Sequence, residues 1–384
     1  MSFDCPWLSV SGSEGCWSIK EYTQAFPSLG LTDSQTPDLV TFIGGHTKSK
    51  YLRQLIDASP VCLVSPHHQV HLWSDPKQRK GINPRVYIDC GLQLERPQSS
   101  QCCSTRAPHR QKTISWFSDH HAKSAIAHTV CNKILIPLAS VVCYFASDLG
   151  GLQGTASLLA EHILAGRACR VPPAALPGAL IIIETSSPVF DAGIAEVKLL
   201  QDVRKAIRRL KVSSSGEEQW AEILDHFREV RVLAVQKLDS PARRAHLLRN
   251  RLNSSCHSAS LARRSCRMLL SFRHIKAFSE LLIDNFCSEK DTAFDFIKAS
   301  RPVGFSTKDF TTHLKELFDL MPSQAWLWHT ICPLVGSAML LASYPPESHC
   351  KTLPASCSTA ANYSKILIRR CCFHAYTVAR AISR

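Results

Sequence analysis

A three-layer α/β fold built on a mostly parallel sheet, followed by an all-α segment, is what the sequence predicts. Three observations carry that expectation. The strand-length runs SVVCYFASD (140–148), ALIIIETSS (179–187) and VRVLAVQ (230–236) are apolar in the manner of strands covered on both faces. Helix-patterned stretches separate them, among them GGLQGTASLLAEHILAG (150–166) and IAEVKLLQDVRKAIRRLK (194–211), as parallel crossovers require. Beyond about residue 240 only helix patterns continue, and the strand repeats are too few for a barrel.

Taken in order, residues 1–36 are polar and turn-rich with isolated aromatics (Trp7, Trp17, Tyr22, Phe26). They read as a lead-in packed loosely on the α/β domain. That domain is expected over 37–239, and it is organised around LVTFIGGHTKSKYLRQLI (39–56). There an apolar run meets Gly44-Gly45, then Lys48-Ser49, then a helix pattern. A strand, a Gly-rich turn and a helix opening on Lys-Ser is the layout of a phosphate-binding P-loop. Glycines let successive backbone N–H groups wrap a phosphate, a lysine reaches the outer phosphates, and a hydroxyl holds Mg²⁺. The candidate phosphate-binding residues are therefore Gly44, Gly45, Thr47, Lys48 and Ser49, with Ser49 also a metal ligand. The loop is about two residues shorter than the motif, and Thr47 stands where its second glycine belongs. Slow or absent hydrolysis is the expectation.

The runs VCLVSP (61–66) and QVHLWSDP (69–76) read as short strand or loop, with His67, His68 and His71 as surface histidines. RVYIDCG (85–91) reads as a strand ending in Asp89, placed to hold Mg²⁺ through water as the acid of a neighbouring strand does in P-loop proteins. A Gln/Ser/Arg/Pro-rich exposed loop (95–112), a helix around 121–135 and a helix over 217–227 complete the domain. A helical segment is expected over 240–346, with arginines dense on 241–276 and helices near 277–299 and 307–320. The uncharged run 326–344 reads as a buried or partner-docking helix in preference to a membrane span. Residues 347–384 form an irregular, basic, Cys-rich tail.

Composition narrows the function classes. With 384 residues, 45% hydrophobic and 20% charged, the chain can bury a substantial core. A formal charge of +14 favours acidic partners such as phosphates, nucleic acid or anionic lipid. No stacking-aromatic motif or reader helix supports specific nucleic-acid binding. The opening MSFDCPWLSV has no basic stretch leading into an apolar one, so a chain working inside the cell, in the cytoplasm, is expected. The 17 cysteines then read as reduced, and without any Cys-x-x-Cys pair they make no zinc framework.

With these pieces in place the sequence resembles the N-terminal region of long fungal proteins in which a GTPase-like P-loop domain and a helical segment precede a patatin-like phospholipase domain. The resembling pieces include LVTFIG…KSKYLRQLI, VHLWSDP…RVYIDCGL, SVVCYFASDLGGL, ALIIIETSSPVFD, FDFIKASRPVGFST and LMPSQAWLWHTICPLVGSAMLLASYPP, within about 37–346. The resemblance implies Lys48 on the β/γ-phosphates, Ser49 on Mg²⁺, Asp89 in the metal's outer shell, and GTP or ATP as cofactor. The guanine-reading Asn-Lys-x-Asp tetrad is replaced after the 179–183 strand by Glu184-Thr185-Ser186-Ser187, and QKLD (236–239) falls one strand too late. No Gly-x-Ser-x-Gly elbow occurs, and Ser147-Asp148-Leu149-Gly150 lacks a nucleophile's turn, so the lipase chemistry is absent. Two readings remain: a degenerate nucleotide-binding regulatory module with a protein partner on its helical segment, or an interaction scaffold with a basic helical surface and no nucleotide.

Overall fold

The computed structural model describes residues 6–13, 16–57, 69–78, 83–92, 108–117, 123–187, 189–210, 223–288 and 292–300, with a few isolated residues beyond. The chain divides into two compact units, Met1–Asp295 and Phe296–Arg384. In the second unit the described structure is a short helix, Phe296–Ala299. Apart from isolated residues, the expected helix over 307–320 and the apolar run 326–344 lie outside the described residues, as do the tail 347–384, VCLVSP, His67 and His68.

The first unit is built on a nine-stranded sheet. In chain order its strands are β1 (Leu8–Ser13), β2 (Cys16–Tyr22), β3 (Asp38–Ile43), β4 (Gln69–Ser74), β5 (Arg85–Cys90), β6 (His109–Thr113) and β7 (Val141–Phe145). After the short β8 (Cys169–Arg170) come β9 (Gly178–Thr185) and β10 (Glu229–Gln236). Across the sheet the order is β10-β9-β7-β3-β5-β4-β1-β2-β6. The five strands from β10 to β5 run parallel, and from β4 onward every neighbour is antiparallel. This is the large, mostly parallel α/β sheet that the apolar runs predict.

Burial explains the division. Each residue of β3, β5 and β7 is buried, as a strand between two helical layers must be. Among the described residues β10 has a neighbour on one side only, and its burial is correspondingly partial. The lead-in is not loose. Trp7 and Leu8 are fully buried, and the hairpin of β1 and β2 extends the sheet by pairing with β4. Polar positions such as Ser9, Ser11 and Lys20 face away from that core, which hides the strand pattern from a count of apolar residues.

Helix α1 (Ala25–Ser28) is a single turn. Helix α2 (His46–Ile56) comes directly after β3 and buries Tyr51, Leu52 and Leu55 on one face. Helix α3 (Lys123–Val130) widens into a π-helical turn over Cys131–Leu135. It recovers as the short α4 (Ile136–Leu138), where Pro137 supplies no backbone donor. Helices α5 (Gly151–Leu164) and α6 (Ala192–Leu210) lie where sequence periodicity places them. Within 217–227 the described helix is α7 (Ile223–His226).

The long α8 (Pro241–Ser265) opens on an N-cap, with Ser240 Oγ accepting from Arg243 N at 3.3 Å and Pro241 in the first turn. Its buried Leu248, Leu252 and Cys256 join the cluster formed by Val40, Phe42, Tyr51, Phe145 and Ile182. Helix α9 (Phe272–Ser288) ends well short of 299, and β11 (Phe294–Asp295) pairs with β8. These two helices, which composition sets apart from the α/β domain, cover the sheet and complete its core. Among the described residues no helix is long and apolar enough to cross a membrane.

Candidate functional site

In an open α/β sheet, ligands bind beyond the carboxyl ends of the strands, where connections leave toward opposite sides. Here that point lies between β3 and β7. The chain from β3 proceeds to β5 on one side, while β7 flanks β3 on the other. The turn Gly44–Ser49 follows β3 at this carboxyl edge.

Gly44 has φ +154°, and a Cβ there would meet Phe145 Cβ and Asp148 Oδ2 at 2.9 Å each. Only glycine fits so close an approach. That approach brings the loop amides against Asp148, which stands three residues past β7. Gly45 N and Lys48 N donate to its Oδ2 at 2.8 and 2.9 Å, and Thr47 N donates to Oδ1 at 2.9 Å. Three amide hydrogens at the start of α2 thus converge on one carboxylate. A helix N-terminus favours an anion, and three charge-assisted bonds hold it. The anion is the protein's own. Asp148 is half-buried, and its carboxylate fills the turn.

Lys48 points the other way. Its side chain is 3% exposed, and Nζ lies 2.6 Å from Asp89 Oδ1, itself on a side chain 2% exposed. Nζ also donates to the Cys90 carbonyl at 2.6 Å. Removing two such charges from water costs several kcal/mol each, recovered only by close pairing and added hydrogen bonds. Ser49 Oγ donates back to Gly45 O at 3.0 Å, inside its own helix. The structure therefore gathers the predicted residues at one sheet edge and joins Gly45, Thr47, Lys48, Ser49 and Asp89 to other protein groups. As arranged they do not fit a magnesium nucleotide: the amides hold Asp148, the ammonium holds Asp89, and the hydroxyl holds a backbone carbonyl.

Around the loop the polar groups are similarly engaged. Glu184 accepts from Arg244 Nη1 at 2.7 Å and from Tyr51 OH at 3.3 Å. Burial, then the Glu184 charge, raises the Tyr51 hydroxyl well above its ordinary value. QKLD lies at the end of β10: Gln236 Nε2 donates to Ser187 O at 2.9 Å, and Asp239 lies 3.4 Å from Arg243 Nε. Behind Lys48, the sulfurs of Cys90 and Cys131 are 3.2 Å apart. The hydrogen bond from Cys131, with help from the Lys48 charge, lowers the Cys90 thiol, while the same bond and burial raise Cys131. His71 is buried and stacks on Trp73 at 6.0 Å, so it is no surface histidine. Among the described residues no group of three His, Cys, Asp or Glu could hold a metal.

The arginines of α8 are largely spent within the unit. Arg244 pairs with Glu184, and Arg249 reaches Leu55 O at 2.6 Å and Asp75 at 3.6 Å. Arg263 is buried among the Ala175 carbonyl, Ser140 Oγ and the Ala139 carbonyl. Sequence reasoning missed Asp148 as a loop partner. The available signal was an acid placed just after an apolar strand and before Gly150-Gly151, but its use depends on β7 lying beside β3.

No known protein family matches the sequence, and no curated protein matches it. A solved structure titled "Signal recognition particle receptor SRb-GTP/SRX complex from Chaetomium thermophilum" contains a chain similar at 15% identity, with a TM-score of 0.28. The match covers 56% of this chain and 99% of that one. A likeness of that size argues nothing about this chain's ligand or activity.

Proposed function

We propose that this chain is a degenerate, GTPase-like P-loop module that keeps the anion-binding turn, fills it with its own carboxylate, and serves a regulatory role without turnover. The observation that carries the reading is the set of three hydrogen bonds from Gly45, Thr47 and Lys48 to Asp148. A tethered carboxylate competes at an effective concentration of at least roughly millimolar, so an outside phosphate must displace it. Phosphoryl transfer needs a lysine and metal ligands facing the substrate, and in this arrangement Lys48 and Asp89 face each other. The resemblance of the ordered sequence pieces to the front part of patatin-like phospholipase architectures makes a lipase the regulated partner in this reading.

A second reading, an interaction scaffold that takes no nucleotide at all, draws on the same closed loop. Equilibrium binding of labelled GTP and ATP with Mg²⁺ to wild type, Asp148→Ala and Lys48→Ala separates the two. The module reading expects no saturation of wild type below about 1 mM and at least tenfold tighter binding by Asp148→Ala. Wild-type saturation near about 1 µM, lost in Lys48→Ala, would overturn the closed loop. Failure of both wild type and Asp148→Ala to bind would leave the scaffold.

A further inference from the structure

We propose that Cys90 and Cys131 form a reversible disulfide, a peroxide-driven latch that ties the end of β5 to the π-helical turn and fixes the cradle of Lys48. The two sulfurs already lie 3.2 Å apart, and both side chains are buried. A disulfide needs about 2.05 Å between sulfurs, so closure asks for an approach of roughly 1.2 Å. The slack for that movement is local. Cys131 begins the π-helical turn, where the helix is already wider than its regular form. Cys90 ends β5, beyond which regular pairing in the parallel sheet stops.

The position gives the bond a consequence. Cys90 comes directly after Asp89, and its carbonyl accepts the Lys48 ammonium at 2.6 Å. A covalent tie at Cys90 holds both Lys48 partners to the helical layer and opposes any outward turn of the lysine toward the loop. The chemistry balances with a hydroperoxide as oxidant. One thiol attacks the peroxide, an S–O bond forms as the O–O bond breaks, and, with hydrogen peroxide, one water leaves. The second thiol then displaces the sulfenic hydroxyl, forming S–S and releasing a second water. Both sulfurs together lose two electrons, and a dithiol reductant returns them. Burial restricts the reagent to a small, uncharged one.

The inference stands apart from how the loop treats nucleotides, because its readout is a covalent bond. The reduced full-length chain is treated with hydrogen peroxide while folded, then unfolded, alkylated and peptide-mapped by mass spectrometry. The expected result is one cross-linked species joining the Cys90 and Cys131 peptides, reversed by dithiothreitol and absent in Cys131→Ser. Closing a loop of 41 residues should raise the melting temperature by roughly 5 °C. A control oxidised in urea distinguishes geometry from chance, since the unfolded chain should scatter its pairings. Both thiols staying alkylatable while others oxidise would overturn the proposal, as would Cys90 pairing elsewhere in the folded chain. If Cys131→Ser does not fold, the wild-type map and its urea control decide alone.

Discussion

The two edges of the parallel sheet are closed by opposite charges. At the carboxyl edge, the Asp148 carboxylate gathers amide hydrogens from Gly45, Thr47 and Lys48. At the amino edge, the Arg263 guanidinium gathers the carbonyls of Ala139 and Ala175 and the hydroxyl of Ser140. Each satisfies backbone groups that the ends of strands and helices leave over. They differ in exposure. Arg263 is 8% exposed, on the buried face of the last turn of α8, whereas Asp148 is half-buried. The first is a permanent fixture of the core. The second is partly open to solvent, and under the proposed function it is the group an outside anion would have to displace.

Arg263→Met should show the largest effect, a loss of about 5 kcal/mol in denaturant unfolding, because buried carbonyls and Asp38 lose their cation together. A loss under about 1 kcal/mol would break the contrast from the amino side. Lys48→Ala should cost about 3–4 kcal/mol by removing the cation beside buried Asp89, and the double variant Lys48→Met/Asp89→Asn should recover much of it. An ammonium free for phosphate would instead cost less than about 0.5 kcal/mol on removal.

The amino edge also predicts a pH response. His162 is buried with its Nδ1 3.3 Å from Tyr144 OH, and burial, then the His128 and His226 charges, push it down from 6.5 to about 3. His226 is pushed down to about 4 by burial and then by Arg167. The unfolded chain takes up these protons first, so their stabilisation is complete above pH 6.5 and is lost as the pH falls toward the folded values. Unfolding measured from about pH 7 to 4 should lose about 2–3 kcal/mol through His162, and His162→Gln should flatten that slope. Asp148→Ala should have the smallest effect on stability, about 1–2 kcal/mol, as expected for a charge at a partly exposed helix start. It should also gain pyrophosphate affinity.

How much of this was legible tracks the same division. The buried strands β3, β5, β7 and β9 announce themselves as largely apolar runs, and the Gly-Gly turn before Lys48 marks the carboxyl edge of the sheet. The strands β1, β2 and β6 were not legible, since serines and charged residues dominate them and HRQKT is exposed along most of its length. Asp148 stayed hidden for another reason. Its contacts span 100 to 103 residues, and nothing local in Ser147-Asp148-Leu149 says which strand lies alongside. The carbonyl partners of Arg249 and Arg263 were not legible either, because helix periodicity tells which residues share a face, not whether a carbonyl waits beneath it.

Backbone amide hydrogen exchange at Gly45, Thr47 and Lys48, compared between wild type and Asp148→Ala, tests the closed loop most directly. These three amides should be at least tenfold protected in wild type and exposed in the variant, with wild-type rates unchanged by millimolar magnesium nucleotide. Amides that exchange freely in wild type, or that become protected only when nucleotide is added, would contradict it.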